Sequence, residues 1–227
     1  MRDEQEQHYL ELFNKHGDDP QALSYRDGPT QIERFHRLSL AFADMKEPFS
    51  VHEVGCGLGH YGDYLKRHHP LATYSGSDII ETFVDHCRER FPDDTFHHRD
   101  LVADNVAERY DWVMLSGLFN LKLAQPRDVW QDFVWQMLTE MYRLCRHGIG
   151  CNFVTSYVDE GRERSEIFYQ DPRTLIDFAT RHLSRHVEYD GAGPLYDYTV
   201  RIYRPEHIRR DYADAAFDHY FPATDGS

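Results

Sequence analysis

The residues of this chain that could do chemistry begin at Val51-His-Glu-Val-Gly-Cys-Gly-Leu-Gly59, a short apolar stretch that runs into a turn paved with glycine. Gly55 and Gly57 can adopt backbone angles closed to other residues, which lets the main chain approach a ligand to contact distance. Cys56 supplies a small side chain between them, and Gly59 allows the next helix to pack close. A dinucleotide fingerprint places its third glycine one position later, where this chain has His60. The spacing is Gly-x-Gly-x-Gly, preceded by an acid at Glu53. Three further strand-like runs end on polar residues. Ala72-Thr-Tyr-Ser-Gly-Ser-Asp78 ends twenty-one residues after Gly57, the distance at which a carboxylate meets ribose hydroxyls in a Rossmann-type unit. Thr95-Phe-His-His-Arg-Asp-Leu101 again closes on an acid, and Tyr110-Asp-Trp-Val-Met-Leu-Ser116 opens into Gly117-Leu-Phe-Asn120.

In this order, from about residue 30 to residue 204, the runs resemble class I S-adenosylmethionine (SAM) methyltransferases. The resemblance implies SAM as cofactor. It also implies that Glu53 reaches the cofactor's cationic amino-acid end, that Asp100 contacts the adenine amino group, and that Ile79 and Leu101 sandwich the ring. Gly55, Cys56, Gly57, Gly59, Asp78 and Ser116 complete the expected cofactor site. The chain lacks the acidic cluster after the fourth strand found in metal-dependent catechol-type relatives, and the Asn/Asp-Pro-Pro-aromatic motif of amino methyltransferases. Its 15 histidines and four cysteines show no metal-ligand spacing, so no metal is expected and the histidines read as scattered and solvent-facing.

A sulfonium carbon is already a strong electrophile, so catalysis is mostly positioning, with a base only where the acceptor must lose a proton. Ligands in open α/β sheets bind beyond the carboxyl ends of strands. That rule points to His60, Tyr61, Asn120 and Tyr157 as catalytic candidates. Pocket-shaping for His60 and Tyr61, and a turn-fixing role for Asn120, are the plainer readings. The two longest polar connections, 18–29 and 158–170, are expected to form a lid. Within and beside them Tyr25, Arg26, Asn120, Tyr157, Arg162 and Tyr169 are candidates for orienting a small polar acceptor, an anionic one included.

The elements that must position these residues are legible from periodicity. Tyr9, Leu10, Leu12 and Phe13 lie near helical spacing and the pattern stops at Gly17. Thr30 and Glu33 have the spacing of a capping box ahead of the stripe Ile32, Phe35, Leu38, Phe42 and Met45. After the first strand, strand and helix alternate, which predicts a mainly parallel sheet. A crossover helix carries Phe83, Val84, Cys87 and Phe91 up to Pro92. A long helix is expected from Asp128 to His147 with Gly148 as its stop, followed by a strand at Ile149–Tyr157 and a helix from the Asp171-Pro172 cap to Arg185. A final hairpin is expected at 186–190 and 197–203. The fold class is therefore α/β: a Rossmann-like, doubly wound, mainly parallel seven-stranded sheet with a terminal antiparallel hairpin. A helical cap at 1–47, a SAM-binding core at 48–205 and a tail at 206–227 divide the chain.

Composition narrows the partners. A chain of 227 residues with net charge −14 and 25 basic against 39 acidic side chains is poorly suited to gripping a phosphate backbone, so nucleic acid is not expected. A mean hydropathy of −0.70 and the lack of a long apolar run predict no membrane span, and the acidic start Met1-Arg-Asp-Glu-Gln-Glu6 lacks the pattern of a signal peptide. The expectation is a cytoplasmic SAM-dependent methyltransferase acting on a small soluble metabolite. A nicotinamide-linked reductase and a SAM-fold scaffold without catalysis are the alternatives.

Overall fold

The computed structural model describes residues 2–221. Its centre is one sheet built from β1 (Phe49–Val54), β2 (Ala72–Asp78), β3 (Thr95–His98), β4 (Tyr110–Leu115), β5 (Cys145–Thr155), β6 (Tyr169–Gln170), β7 (Val187–Asp190) and β8 (Asp197–Tyr203). The strand order is β3-β2-β1-β4-β5-β8-β7, with the short β6 pairing to β5 outside this path. Strands β1 to β5 are mutually parallel, whereas β8 runs antiparallel between β5 and β7. Chain order reverses at β1, whose neighbours are β2 and β4. A crevice must therefore open at the carboxyl ends of β1 and β4, because the crossover helices leave to opposite faces there.

Helices α3 (His60–His68) and α4 (Glu81–Arg90) follow β1 and β2, and α5 (Arg127–Leu144) and α6 (Pro172–His182) flank β5. Alternation along β1 splits the core. Phe49 and Val51 face a layer with Phe35, Leu38, Tyr61, Tyr64, Val84 and Trp112, while Val54 faces the layer with Trp130, Val134, Leu138 and Met141 of α5. The N-terminal helix α1 (Arg2–His16) stops at Gly17, whose N–H bonds Phe13 O, as the spacing predicted. It docks through Tyr9, Leu10 and Phe13 on Leu58, Ile80 and Phe83. No described helix is long and apolar enough to cross a membrane.

Several local expectations are corrected. Helix α2 (Gly28–Ser39) is capped by Asp27, whose carboxylate accepts from Thr30 N at 2.9 Å; Thr30 lies inside the first turn, and no capping box forms with Glu33, which pairs with Arg37 instead. Asp27 precedes Pro29, and proline favours the first turn, so the pair sets the start three residues early. The predicted stripe survives at Phe35, Leu38 and Phe42, but Ile32 is 45% exposed and Met45 lies beyond the helix. Asp100 and Leu101 fall in the turn after β3 rather than in it.

Helix α5 does not reach His147. It passes at Cys145 straight into β5, and Gly148 sits within that strand because a Cβ there would meet Ile202 O at 2.8 Å and the Trp112 ring at 2.9 Å. The histidines are not all solvent-facing. His52 is fully buried on β1, stacked on Tyr110 at 4.2 Å, with its ring nitrogens on the hydroxyls of Ser75 (2.8 Å) and Ser77 (3.0 Å). Burial drives its pKa well below the ordinary value, so it is a neutral packing element. In the tail, Phe221 stacks on His186, while Phe217 and Tyr220 remain exposed; positions 222–227 lie outside the described residues.

Gly148→Ala forces a methyl into backbone and indole at once. It is expected to lower unfolding free energy by about 1–3 kcal/mol, read from chemical denaturation. An unchanged midpoint would mean that β5 and β8 are not paired in this register.

Candidate functional site

The crevice predicted by the strand order is a cleft of about 1100 Å³, its mouth to solvent included. The glycine loop forms one wall. Gly55, Gly57 and Gly59 all have positive φ (68°, 52° and 76°), and at Gly57 a Cβ would also meet the Leu23 side chain at 2.8 Å. This loop is tied down by Asp78. One carboxylate oxygen accepts from Gly57 N at 2.9 Å and the other from Ile80 N at 3.0 Å, so a single side chain orders both the β1–α3 loop and the β2–α4 turn. Asp78 is only 8% accessible, and burial raises its pKa against the pull of its backbone donors.

Glu53 lies at the base of the cleft, 3% accessible, accepting a hydrogen bond from the Tyr74 hydroxyl through Oε2. Burial pushes its carboxyl well above the ordinary range, and the charge of Asp78 adds to the shift. At the end of β3, Asp100 accepts from Val102 N at 3.0 Å and Ala103 N at 3.3 Å through Oδ1. Ile79, Leu101 and Ser116 also line the cleft, as does Cys56. The neighbouring Cys87 thiol and burial raise the Cys56 thiol well above its ordinary pKa, which suits a space-filling residue rather than a nucleophile. All ten expected cofactor residues are brought together except that Gly59 stands just behind the loop, as the N-terminal cap of α3.

The candidates for catalysis and acceptor binding divide. His60 and Tyr61 line the cleft, with the Tyr61 hydroxyl held by Ser39 Oγ at 2.9 Å. Tyr25 also lines it and spans to the end of β4, its hydroxyl 2.8 Å from Ser116 Oγ and 3.2 Å from Ser116 O. Burial raises that phenol to about 12, so it stays neutral and donates. Asn120 does not face the cleft; its Oδ1 accepts from Val154 N at 2.9 Å and its carbonyl from Phe168 N at 2.8 Å, which fixes the turn after β4. Arg26, Tyr157 and Arg162 are exposed and outside the cleft, and Tyr169 accepts from Arg164 N.

The 158–170 connection is therefore not a wall of the site. It folds back on the β4–α5 loop through the Leu121 to Ile167 bridge and Lys122 N to Glu166 O. The N-terminal segment is the cover. Arg2, Gln5, Tyr9 and Leu23 line the cleft, and straps hold the segment on both sides. Gln5 donates to Leu121 O at 2.9 Å and Glu4 accepts from Gln125 Nε2 at 2.6 Å. Asp18 pairs with Arg90 at 2.8 Å and with His60 Nε2 at 3.0 Å.

Sequence reasoning missed Gln5, Gln31, Arg99, Phe133 and Met137 as cleft residues. Gln31 could have been found. It shares a helical face with Phe35 and Leu38, and an amide on an apolar stripe needs a partner inside.

Residues 52–148 match the family model for a methyltransferase domain. A Mycobacterium tuberculosis protein assigned as a methyltransferase, Rv1506c, is 28% identical over 156 residues, which is 69% of this chain and 93% of that one. Among solved structures, the N-methyltransferase NodS from Bradyrhizobium japonicum with S-adenosylhomocysteine superposes with a TM-score of 0.62 at 18% identity, covering 87% of this chain and 98% of its own. Magnesium protoporphyrin IX methyltransferase from Synechocystis PCC 6803 with bound SAM gives 0.57 at 18% identity, covering 86% and 94%. The sheet order with its inserted antiparallel β8 is shared with these Rossmann-like methyltransferase structures, and the stretch that carries the Gly-x-Gly-x-Gly loop, residues 52–148, matches a methyltransferase domain.

Proposed function

We propose that the chain methylates a small soluble molecule, with SAM lying across the carboxyl ends of β1 to β4 and the acceptor entering beneath the N-terminal segment. The observation that carries this reading is the charge of the cleft. Three carboxylates, Glu53, Asp78 and Asp100, line it against the arginines Arg2 and Arg99, and Glu53 is buried with no cation beside it. A ligand with an ammonium group and a sulfonium fits such a wall, because it supplies the positive charge that burial of Glu53 lacks. A nicotinamide dinucleotide, with a pyrophosphate, does not.

In this reading Glu53 holds the amino-acid end, and the remaining lone pairs of Asp78 take the ribose hydroxyls. Asp100 meets the adenine amino group between Ile79 and Leu101. Gly55, Cys56, Gly57 and Gly59 shape the backbone cradle, and Ser116 closes the end of β4. When bound, SAM supplies a methyl carbon on a positively charged sulfur. The protein's own task is to exclude water and to align the acceptor atom. Tyr25 closes the N-terminal segment onto Ser116, and His60 and Tyr61 form the floor on the acceptor side. The division into a helical cap at 1–47, a core at 48–205 and a tail at 206–227 belongs to the same reading. So do a cytoplasmic setting, supported by four unpaired buried thiols, and the exclusion of nucleic acid as substrate, supported by the net charge of −14. A structural neighbour supports a small acceptor, since the magnesium protoporphyrin IX methyltransferase is named for a small-molecule substrate.

Two outcomes follow. Burial holds the Glu53 carboxyl protonated above its ordinary range, and a bound ammonium favours the ionised form. SAM binding must therefore release a proton in that window, and affinity must rise with pH through it. Calorimetry in buffers of different ionisation enthalpy should show this release in the wild type and lose it in Glu53→Gln. Equal proton release in both chains would remove Glu53 from the site.

Asp78→Asn should weaken SAM by at least about tenfold, since bonds to a charged acceptor are worth about 1.5–3 kcal/mol each. Because Asp78 also holds Gly57 and Ile80, the free protein should melt at lower temperature as well. Wild-type affinity in the folded variant would exclude both roles.

A further inference from the structure

The polarity of the acceptor side is fixed by a relay that runs into the cleft from outside. Asp18, on the connection after α1, is a carboxylate and can only accept. His60 Nε2 lies 3.0 Å from its Oδ1 and must therefore carry the proton of that bond. The atom facing Nδ1 at 3.1 Å is the side-chain nitrogen of Gln31, a donor, so Nδ1 accepts. The Gln31 amide thus spends an N–H on His60, and its carbonyl Oε1 is the end left over. Gln31 is 3% accessible and lines the cleft, and among the described residues no protein donor reaches Oε1.

Phe35, Tyr61 and Tyr25 line the cleft together with Gln31. Phe35 lies 5.0 Å from Tyr61 and 6.4 Å from Tyr25, ring to ring. The arginines of the cleft are engaged elsewhere, Arg99 on Glu108 and Tyr110, and Arg2 on Ile79 O. Arg34, whose guanidinium lies 5.3 Å from the Tyr25 ring, is already paired with Asp197, and Arg26 and Arg162 lie outside the cleft, so an anionic acceptor would find no unengaged arginine there.

We propose that Gln31 is a specificity-determining residue of the acceptor site, and that the acceptor is a neutral aromatic or heteroaromatic molecule presenting an O–H or N–H to the Gln31 carbonyl. This rests on the methyl-transfer reading and narrows it. A buried acceptor left unpaired is costly, so a ligand without the donor is rejected more strongly than one of slightly wrong size.

The test uses the full chain with S-adenosylhomocysteine, and three probes followed by saturation-transfer NMR: phenol, anisole and benzoate. Phenol is expected to bind at least about tenfold more tightly than either of the others. Gln31→Leu should collapse that preference while S-adenosylhomocysteine affinity and the melting temperature hold. Should Gln31→Leu fail to fold, Asp18→Asn carries the test, since that side chain is 39% accessible. An amide there no longer dictates the His60 tautomer, so the phenol preference should narrow with binding of the ring retained. Anisole or benzoate binding as well as phenol, no phenol binding at all, or a preference unmoved by these variants each overturns the proposal. S-adenosylhomocysteine affinity is measured separately, and the probes are also run without it. A chain that binds S-adenosylhomocysteine without preferring phenol refutes the role of Gln31 alone, and one that binds no S-adenosylhomocysteine refutes the reading beneath it.

Discussion

The arrangement at the carboxyl edge of the sheet depends on the buried carboxylate of Asp78, which accepts from Gly57 N and Ile80 N at once. A glycine loop with three positive φ values is intrinsically loose, because glycine loses the most conformational freedom on ordering. Asp78 offsets that loss from the neighbouring strand, and the parallel register of β1 on β2 brings it there, with Val54 opposite Ser77. The same burial that makes these bonds strong raises the carboxyl's pKa, and it does so more severely for Glu53, which has no backbone donor and only the Tyr74 hydroxyl. The edge is thus ordered and electrostatically incomplete, a condition that a cationic ligand relieves.

The cover over this edge is built from different physics. Helix α1 contributes little buried surface of its own beyond Tyr9, Leu10 and Phe13, and is held by polar straps at both ends of the cleft. The straps are polar and few, and those through Glu4 and Asp18 join partly exposed groups, which are individually weak. Tyr25 differs from them in being fixed from behind, with the Arg34 guanidinium 5.3 Å from its ring and that arginine tied to Asp197. Tyr25 is thereby linked through Arg34 to Asp197 of β8, on the far side of the sheet switch.

Much of the fold was legible because its cues are local. Asp78 ends β2 at the residue expected from its distance to Gly57, and the Asp171-Pro172 cap starts α6 as the sequence requires. What failed was decided by tertiary contact. Gly148 looked like a helix stop, yet its lack of a side chain serves the β5–β8 approach, and Cys145 turns to strand because β4 offers it a partner at Tyr110. In the site, residues at strand ends were found because topology fixes where strand ends point. Tyr157, Arg162 and Tyr169 misled because loop length carries no direction: the 158–170 segment pairs back on Asn120–Leu123 instead of crossing the cleft. Gln31 was passed over because polar residues on helices usually face water.

The central claim is that an acidic, desolvated cleft at the β1/β4 switch binds a cationic adenosyl ligand rather than a dinucleotide. Equilibrium titration of the full chain with SAM and with NADH, each in competition with S-adenosylhomocysteine, tests it most directly. The account predicts saturable SAM binding displaced by S-adenosylhomocysteine and no displacement by NADH. Saturable NADH binding at this cleft, with SAM failing to compete, would contradict it.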